Sequence, residues 1–219
     1  MKTRKEIFVV KYIGLITMLI DHIGIVLYPN NLLLRIIGRT SFPIFCYTTA
    51  QGTLQTHNIN KYLIRLLIFS LVSQFPYYLS INQSNLNIGF TLFFSVLLLK
   101  LYNNNKLRYK ILCVGLLIAL GWLPLDYGLP GPILIFAYYI SSKKKIKIIV
   151  PIAYVCILYY TYMHFGICTA MLQSACLIDI FLILLDFQIC IPQYLYNILK
   201  KSNYIFYPLH LLILYLLSI

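Results

Sequence analysis

The sequence predicts an all-α fold: a polytopic bundle of about nine transmembrane helices, one integral membrane domain over residues 1–219, with a cytosolic amino terminus and the carboxyl terminus outside. Three observations lead there. Hydrophobic residues make up 61% of the chain and charged residues 11%, with a mean hydropathy of +0.83, whereas about a quarter of an ordinary soluble domain is charged. Apolar runs of bilayer-spanning length, roughly 17 to 25 residues, recur from end to end and leave no room for a separate soluble domain. Lys and Arg fall in every second connection, the pattern of cytoplasmic loops.

The first predicted helix covers 7 to 28. Its basic start, Met-Lys-Thr-Arg-Lys-Glu, imitates a signal peptide, but Asp21 and His22 interrupt the apolar run and no small-residue cleavage site follows, so it reads as a retained helix. The second helix covers 32 to 52, and the third, 61 to 80, opens on Lys61 and Arg65. The fourth, 87 to 103, is flanked by Lys100, Lys106, Arg108 and Lys110. The fifth and sixth, 109 to 124 and 129 to 142, are short and carry Pro124, Pro130 and Pro132, so a re-entrant or broken hairpin is the alternative for this pair. Lys143, Lys144, Lys145 and Lys147 occupy the sixth connection, up to the start of the seventh helix, 146 to 163; the eighth covers 168 to 187; Lys200 and Lys201 sit in the loop before the ninth, 203 to 219. The connections Ser80 to Asn87, Leu123 to Leu129 and Met163 to Cys168 hold no Lys or Arg.

A net charge of +13 raises nucleic acid as a partner, but the basic residues mark loops rather than one patch, so none is expected. The basic loops attract anionic lipid headgroups or, alternatively, the phosphates of a nucleotide-bearing donor. Six cysteines lie scattered in apolar runs without metal-like spacing and read as small core residues. No metal site, P-loop or dinucleotide fingerprint is present. No inverted repeat divides the chain, which weighs against a transporter.

Chemistry concentrates in the charges that apolar helices must bury. Only Arg35 and Arg39, of 18 basic residues, are left unexplained by loops; Arg35 reads as snorkelling to the outer interface and Arg39 as embedded. His22 lies about 22 Å along its helix from Ile7, a depth that Arg39 matches on the antiparallel neighbour. Asp21 is therefore expected to pair with Arg39 or, as a catalytic partner, to hold the tautomer of His22. His22 suits a general base, the alternative being a structural Asp–Arg bridge with His22 hydrogen bonded beside it. His210 is a second intramembrane histidine that by itself reads as packed. His57 and His164 fall in predicted connections and read as solvated. Asn87, Thr91, Asp126 and Tyr127 lie on the side of the Asp–His level and either rim an outward substrate pocket or are simply solvated. Asp179 needs a partner that the sequence does not name.

Leu-Ile-Asp-His-Ile-Gly (19–24), Arg-Ile-Ile-Gly-Arg-Thr-Ser-Phe-Pro-Ile-Phe (35–45) and Gln-Gly-Thr-Leu-Gln-Thr-His-Asn-Ile-Asn-Lys-Tyr-Leu-Ile-Arg-Leu (51–66) resemble the TraX family. So do Ser-Gln-Phe-Pro-Tyr (73–77), Asn-Ile-Gly-Phe-Thr-Leu (87–92), Asp-Tyr-Gly-Leu-Pro-Gly (126–131) and Tyr-Pro-Leu-His-Leu (207–211). The resemblance implies a multi-pass acetyltransferase of the cytoplasmic membrane, associated with acetylation of the amino terminus of conjugative pilin, with acetyl-CoA as donor. It also implies a distant likeness to membrane acyltransferases that modify envelope glycans and polymers. By motif position, His22 would activate the acceptor, an amine or hydroxyl, and Arg39 would help hold the donor, with His210 a further candidate. Gln51 departs from the acidic residue expected before Gly52, and the second half is poor in motifs. A small-solute transporter and a non-catalytic assembly factor for pili remain the alternatives.

Overall fold

The computed structural model describes residues 4–81, 84–184 and 193–219, and it is all-α. The helices are α1 (Arg4–Val26), α2 (Leu32–Arg39), α3 (Ser41–Gln55), α4 (Ile59–Ile81), α5 (Ile88–Tyr102) and α6 (Leu107–Trp122). They continue with α7 (Pro130–Lys144), α8 (Ile149–Phe165), α9 (Ile167–Ser174), α10 (Cys176–Leu184) and α11 (Gln193–Ser218). All nine expected segments are present, two of them broken. Lys2, Cys190 and the expected end of the eighth segment at 185–187 lie outside the described residues.

Proline chemistry explains the first break. Pro43 has no N–H for the carbonyl of Arg39, four residues back, and its ring crowds that carbonyl. The helix divides at Thr40, and the released Arg39 carbonyl accepts the Cys176 thiol at 2.9 Å. Cys176 thus joins the break in the second expected segment to the start of α10, where the eighth is itself broken at Ala175. The expectation that all cysteines are core residues needs correcting: Cys46 and Cys176 are buried, Cys113 is partly so, and Cys156 and Cys168 are exposed.

Other prolines do less than their reputation suggests. Pro130 opens α7, where a missing N–H costs nothing because first-turn donors have no intrahelical partner. The fifth and sixth expected segments are accordingly two continuous helices, α6 and α7, rather than a broken hairpin. Lys200 and Lys201, expected in a loop, lie inside α11, which starts ten residues before the expected 203 because nothing between 193 and 203 breaks a helix.

α3 is the axis of the bundle. It packs against α1, α5, α7 and α10, and nearly every side chain from Ser41 to Thr53 is buried. A helix buried all round must satisfy its polar groups internally. Thr48 and Thr53 donate to the carbonyls of Phe45 and Thr49, and Gln51 donates to the Ser142 hydroxyl at 2.7 Å. The outer surface is the reverse: Ile64, Ile68, Leu71 and Phe75 of α4 and Ile111, Val114 and Ile118 of α6 are exposed. An apolar surface of this extent is foreign to water-facing monomers. Val9–Val26 and Ile59–Ile81 are long and apolar enough to cross a membrane.

The two ends of the bundle differ in charge. At one end the connection before α5 and the one before α7 are zipped by a parallel bridge between Leu86 and Leu125, in which the Asp126 N–H donates to the Leu86 carbonyl at 3.0 Å. Neither strand of this bridge carries Lys or Arg. At the other end Asn103 accepts from Tyr139 at 2.9 Å and from Lys143 at 2.7 Å, joining two basic connections.

α1 and α2 cross without a spacer at Gly38, where an added Cβ would overlap the Cα and Cβ of Asp21. Gly38→Ala must therefore push the helices apart. Overpacking of this kind costs about 1–3 kcal/mol, so the variant is expected to unfold several degrees below the parent in the same detergent, measured by thermal scanning.

Candidate functional site

The crossing of α1 and α2 carries an ion pair. Asp21 is 6% exposed, and Arg35 donates to its Oδ1 at 2.7 Å. This corrects the expected Asp21–Arg39 pairing and the snorkelling role given to Arg35. The reason is local: Gly38 lies against Asp21, and Arg35, three residues earlier, shares that helix face. Arg39, about 100° further round than Gly38, is still within electrostatic reach of Asp21 and His22 but lines a cavity on its other side.

His22 points to α11. Its Nδ1 lies 2.7 Å from Nε2 of His210, and Nδ1 of His210 lies 2.8 Å from the Phe206 carbonyl. A carbonyl only accepts, so His210 carries its proton on Nδ1 and presents a bare Nε2. That lone pair accepts the Nδ1–H of His22, which leaves Nε2 of His22 as the free basic nitrogen. Both rings are buried, nearly parallel with centroids 5.0 Å apart. Tyr207 meets each ring edge-on, Phe206 stacks on His210, and Phe69 of α4 leans on Tyr207. Packing thus holds the imidazoles in register.

Arg39, Asn85, Asp126, Tyr127, Tyr160 and Gln173 are among the residues around a cavity of about 300 Å³ at the lysine-free end. Asp126 accepts from the Tyr77 hydroxyl at 3.1 Å. Burial pushes its carboxyl up to about 6, against the opposing pull of the Tyr77 hydrogen bond and of Arg39. Tyr127 stacks on Phe42 at 4.1 Å, and burial raises its phenol well above the ordinary value. Gly128, at φ +47°, supplies the left-handed residue that turns the chain from this rim into α7.

Asn87 and Thr91, expected to rim an outward pocket, do not. Asn87 is fully buried as the amino-terminal cap of α5: its Oδ1 accepts from Gly89 N–H at 2.8 Å, and its Nδ2 donates to the Ser70 carbonyl and to Gln74 Oε1. Its amide is spent inside the fold. Thr91 is wedged against Gly131 of α7, with its hydroxyl buried and lacking a hydrogen-bond partner among the described residues. Asp179 likewise keeps a buried Oδ2 with no hydrogen-bond partner among the described residues.

The structure therefore brings together Asp21, His22, Arg39, Asp126, Tyr127 and His210, and leaves Asn87 and Thr91 to packing. Arg35, Tyr77 and Tyr207 were missed. All three fall inside the motifs quoted above, at 35–45, 73–77 and 207–211, but nothing in those motifs says that Arg35 rather than Arg39 turns to Asp21.

No solved structure matches this chain. Among curated proteins it is 27% identical over 142 residues to an uncharacterized protein of Rickettsia prowazekii (strain Madrid E), covering 62% of this chain and 55% of that protein. It is 29% identical over 158 residues to a probable fimbrial assembly protein, FimC of serogroup H1, of Dichelobacter nodosus, covering 63% of this chain and 64% of that protein. The match thus spans less than two thirds of either relative's length. The family described as TraX protein matches residues 7–218, the motifs around Asp21, His22, Arg39, Asp126 and His210 included, and the chain belongs to that family.

Proposed function

We propose that this protein is a multi-pass acetyltransferase of the cytoplasmic membrane that moves an acetyl group from acetyl-CoA to an amine or hydroxyl acceptor, such as a pilin amino terminus or an envelope glycan. The observation that carries this reading is the ordered pair of histidines, which leaves a basic nitrogen on His22 with its tautomer fixed from behind. In the reaction, Nε2 of His22 takes the proton of the acceptor N–H or O–H as that atom attacks the thioester carbonyl carbon. The C–S bond then breaks, and the coenzyme A thiolate leaves with the proton from His22. Arg39 lies within electrostatic reach of His22, where it can stabilise negative charge developing on the thioester oxygen; such stabilisation is strongest where water is scarce. Asp21 acts on this site indirectly, by holding Arg35 and hence α2. The lysine-rich end faces the cytosol by the positive-inside rule, and the cavity of Arg39 and Asp126 faces outward.

A non-catalytic role in assembling pili or fimbriae is the second reading, favoured by the name of the Dichelobacter relative. The two are separated by giving purified, reconstituted protein labelled acetyl-CoA with peptides bearing a free amino terminus and with glycan acceptors. Label should appear on the acceptor and should fall by about 10²–10⁴-fold in His22→Ala, the usual worth of a general base, with folded protein undiminished. Pilin binding that His22→Ala leaves intact, with no label transferred by the parent protein, would favour the assembly role instead.

His210 is a positioning residue, so its variants should lower kcat and spare the KM for acetyl-CoA. His210→Leu removes the acceptor for His22 Nδ1–H and should cost about tenfold or more, whereas His210→Gln, which can offer a carbonyl oxygen, should recover part of the loss. Steady-state kinetics on both variants provide the check.

Asp126 gives a pH signature in stability. Its carboxyl titrates at about 6 in the fold against an ordinary 3.8, so the folded state gains from its neutral form below pH 4 and loses that gain as pH rises through 6. The difference corresponds to at most about 3 kcal/mol. Melting temperatures between pH 4 and pH 7 should fall less steeply with rising pH in Asp126→Asn than in the parent.

A further inference from the structure

The lysine-rich end of the bundle holds a second cavity, of about 660 Å³, that neither the histidine pair nor Arg39 uses. It opens where α3 passes into α4, and Gln55, His57, Asn58, Lys61, Tyr62 and Arg65 are in its wall. Lys61 and Arg65 are one turn apart on α4, so both present their charge to the same space. Lys11 of α1 stands within electrostatic reach of Arg65 and adds a third cation. Among the described residues, no carboxylate lines the cavity. Like charges gathered at the mouth of an apolar bundle repel one another, and an anion that enters between them removes that repulsion.

We propose that this cavity binds the phosphates of the coenzyme A donor, an inference that rests on the acetyl-transfer reading above. Scale supports it. Lys11 and His22 are eleven residues apart on one continuous helix, about 16 Å at 1.5 Å per residue, and an extended pantetheine arm is of comparable length. One molecule can then hold its phosphates at the basic end while its thioester reaches the level of His22. The shared chemistry is a phosphate ester, which an anionic lipid headgroup also offers.

Direct binding tests this without turnover. In nanodiscs of phosphatidylcholine alone, coenzyme A should bind the parent protein, and 3′-dephospho-coenzyme A more weakly. The double variant Lys61→Gln, Arg65→Gln should weaken coenzyme A binding at least tenfold and raise the KM for acetyl-CoA with kcat little changed. Both side chains are exposed, so their truncation spares the fold, and Lys61→Arg with Arg65→Lys should restore binding. Equal coenzyme A binding by parent and double variant would overturn the proposal. So would loss of retained phosphatidylglycerol in native mass spectrometry of the double variant with coenzyme A binding unchanged, which marks a lipid site. A parent that binds no coenzyme A overturns the acetyl-CoA reading itself, and this subsite with it.

Discussion

The buried carboxylate of Asp21 is the constraint on which the rest of the structure turns. A charge inside an apolar bundle persists only when it is paired and hydrogen bonded, and Arg35 answers it at 2.7 Å. That pairing needs α2 to lie directly on α1, and Gly38 removes the side chain that would prevent it. Because successive helical residues point about 100° apart, clamping Asp21 to α2 commits His22 to another neighbour. The neighbour is α11, and its residue at that level is His210.

From this follows a division of labour between adjacent residues. Asp21 orients a helix, while His22 offers a nitrogen whose protonation state is set by a hydrogen-bond chain ending on the Phe206 carbonyl. Arg35 and Arg39 divide in the same way, one holding the crossing and the other facing the cavity of Asp126 and Tyr127. The carbonyl of Arg39 is itself anchored by Cys176, because Pro43 cannot supply the helical N–H. A broken helix thus becomes the element that aims an arginine.

Asymmetry of the ends completes the arrangement. The lysine-free end is closed by the Leu86–Leu125 bridge and holds the cavity with Asp126, whereas the basic end is tied through Asn103 to Tyr139 and Lys143. Exposed apolar side chains fill the surface of α4 and α6 between the two ends. The outward face of this bundle is therefore apolar where a water-soluble protein would be charged.

Composition and the spacing of apolar runs were sufficient for the all-α class and for all nine helical segments, because helix formation in such runs is dictated locally by backbone hydrogen bonding and the lack of breakers. That Asp21 and His22 would need partners inside the bundle was legible for a similar reason: an ionisable group in an apolar run is anomalous whatever surrounds it. Partners were not legible. That Asp21 takes Arg35 over Arg39, that His22 is ordered by a residue 188 positions away, and that Asn87 is spent on a helix cap are outcomes of which faces meet. Arg35, Gly38 and Arg39 differ by fractions of a turn, and a sequence records only the order of residues along the chain. The angle at which two helices cross decides which of them touches, and that angle is set by packing across the whole bundle.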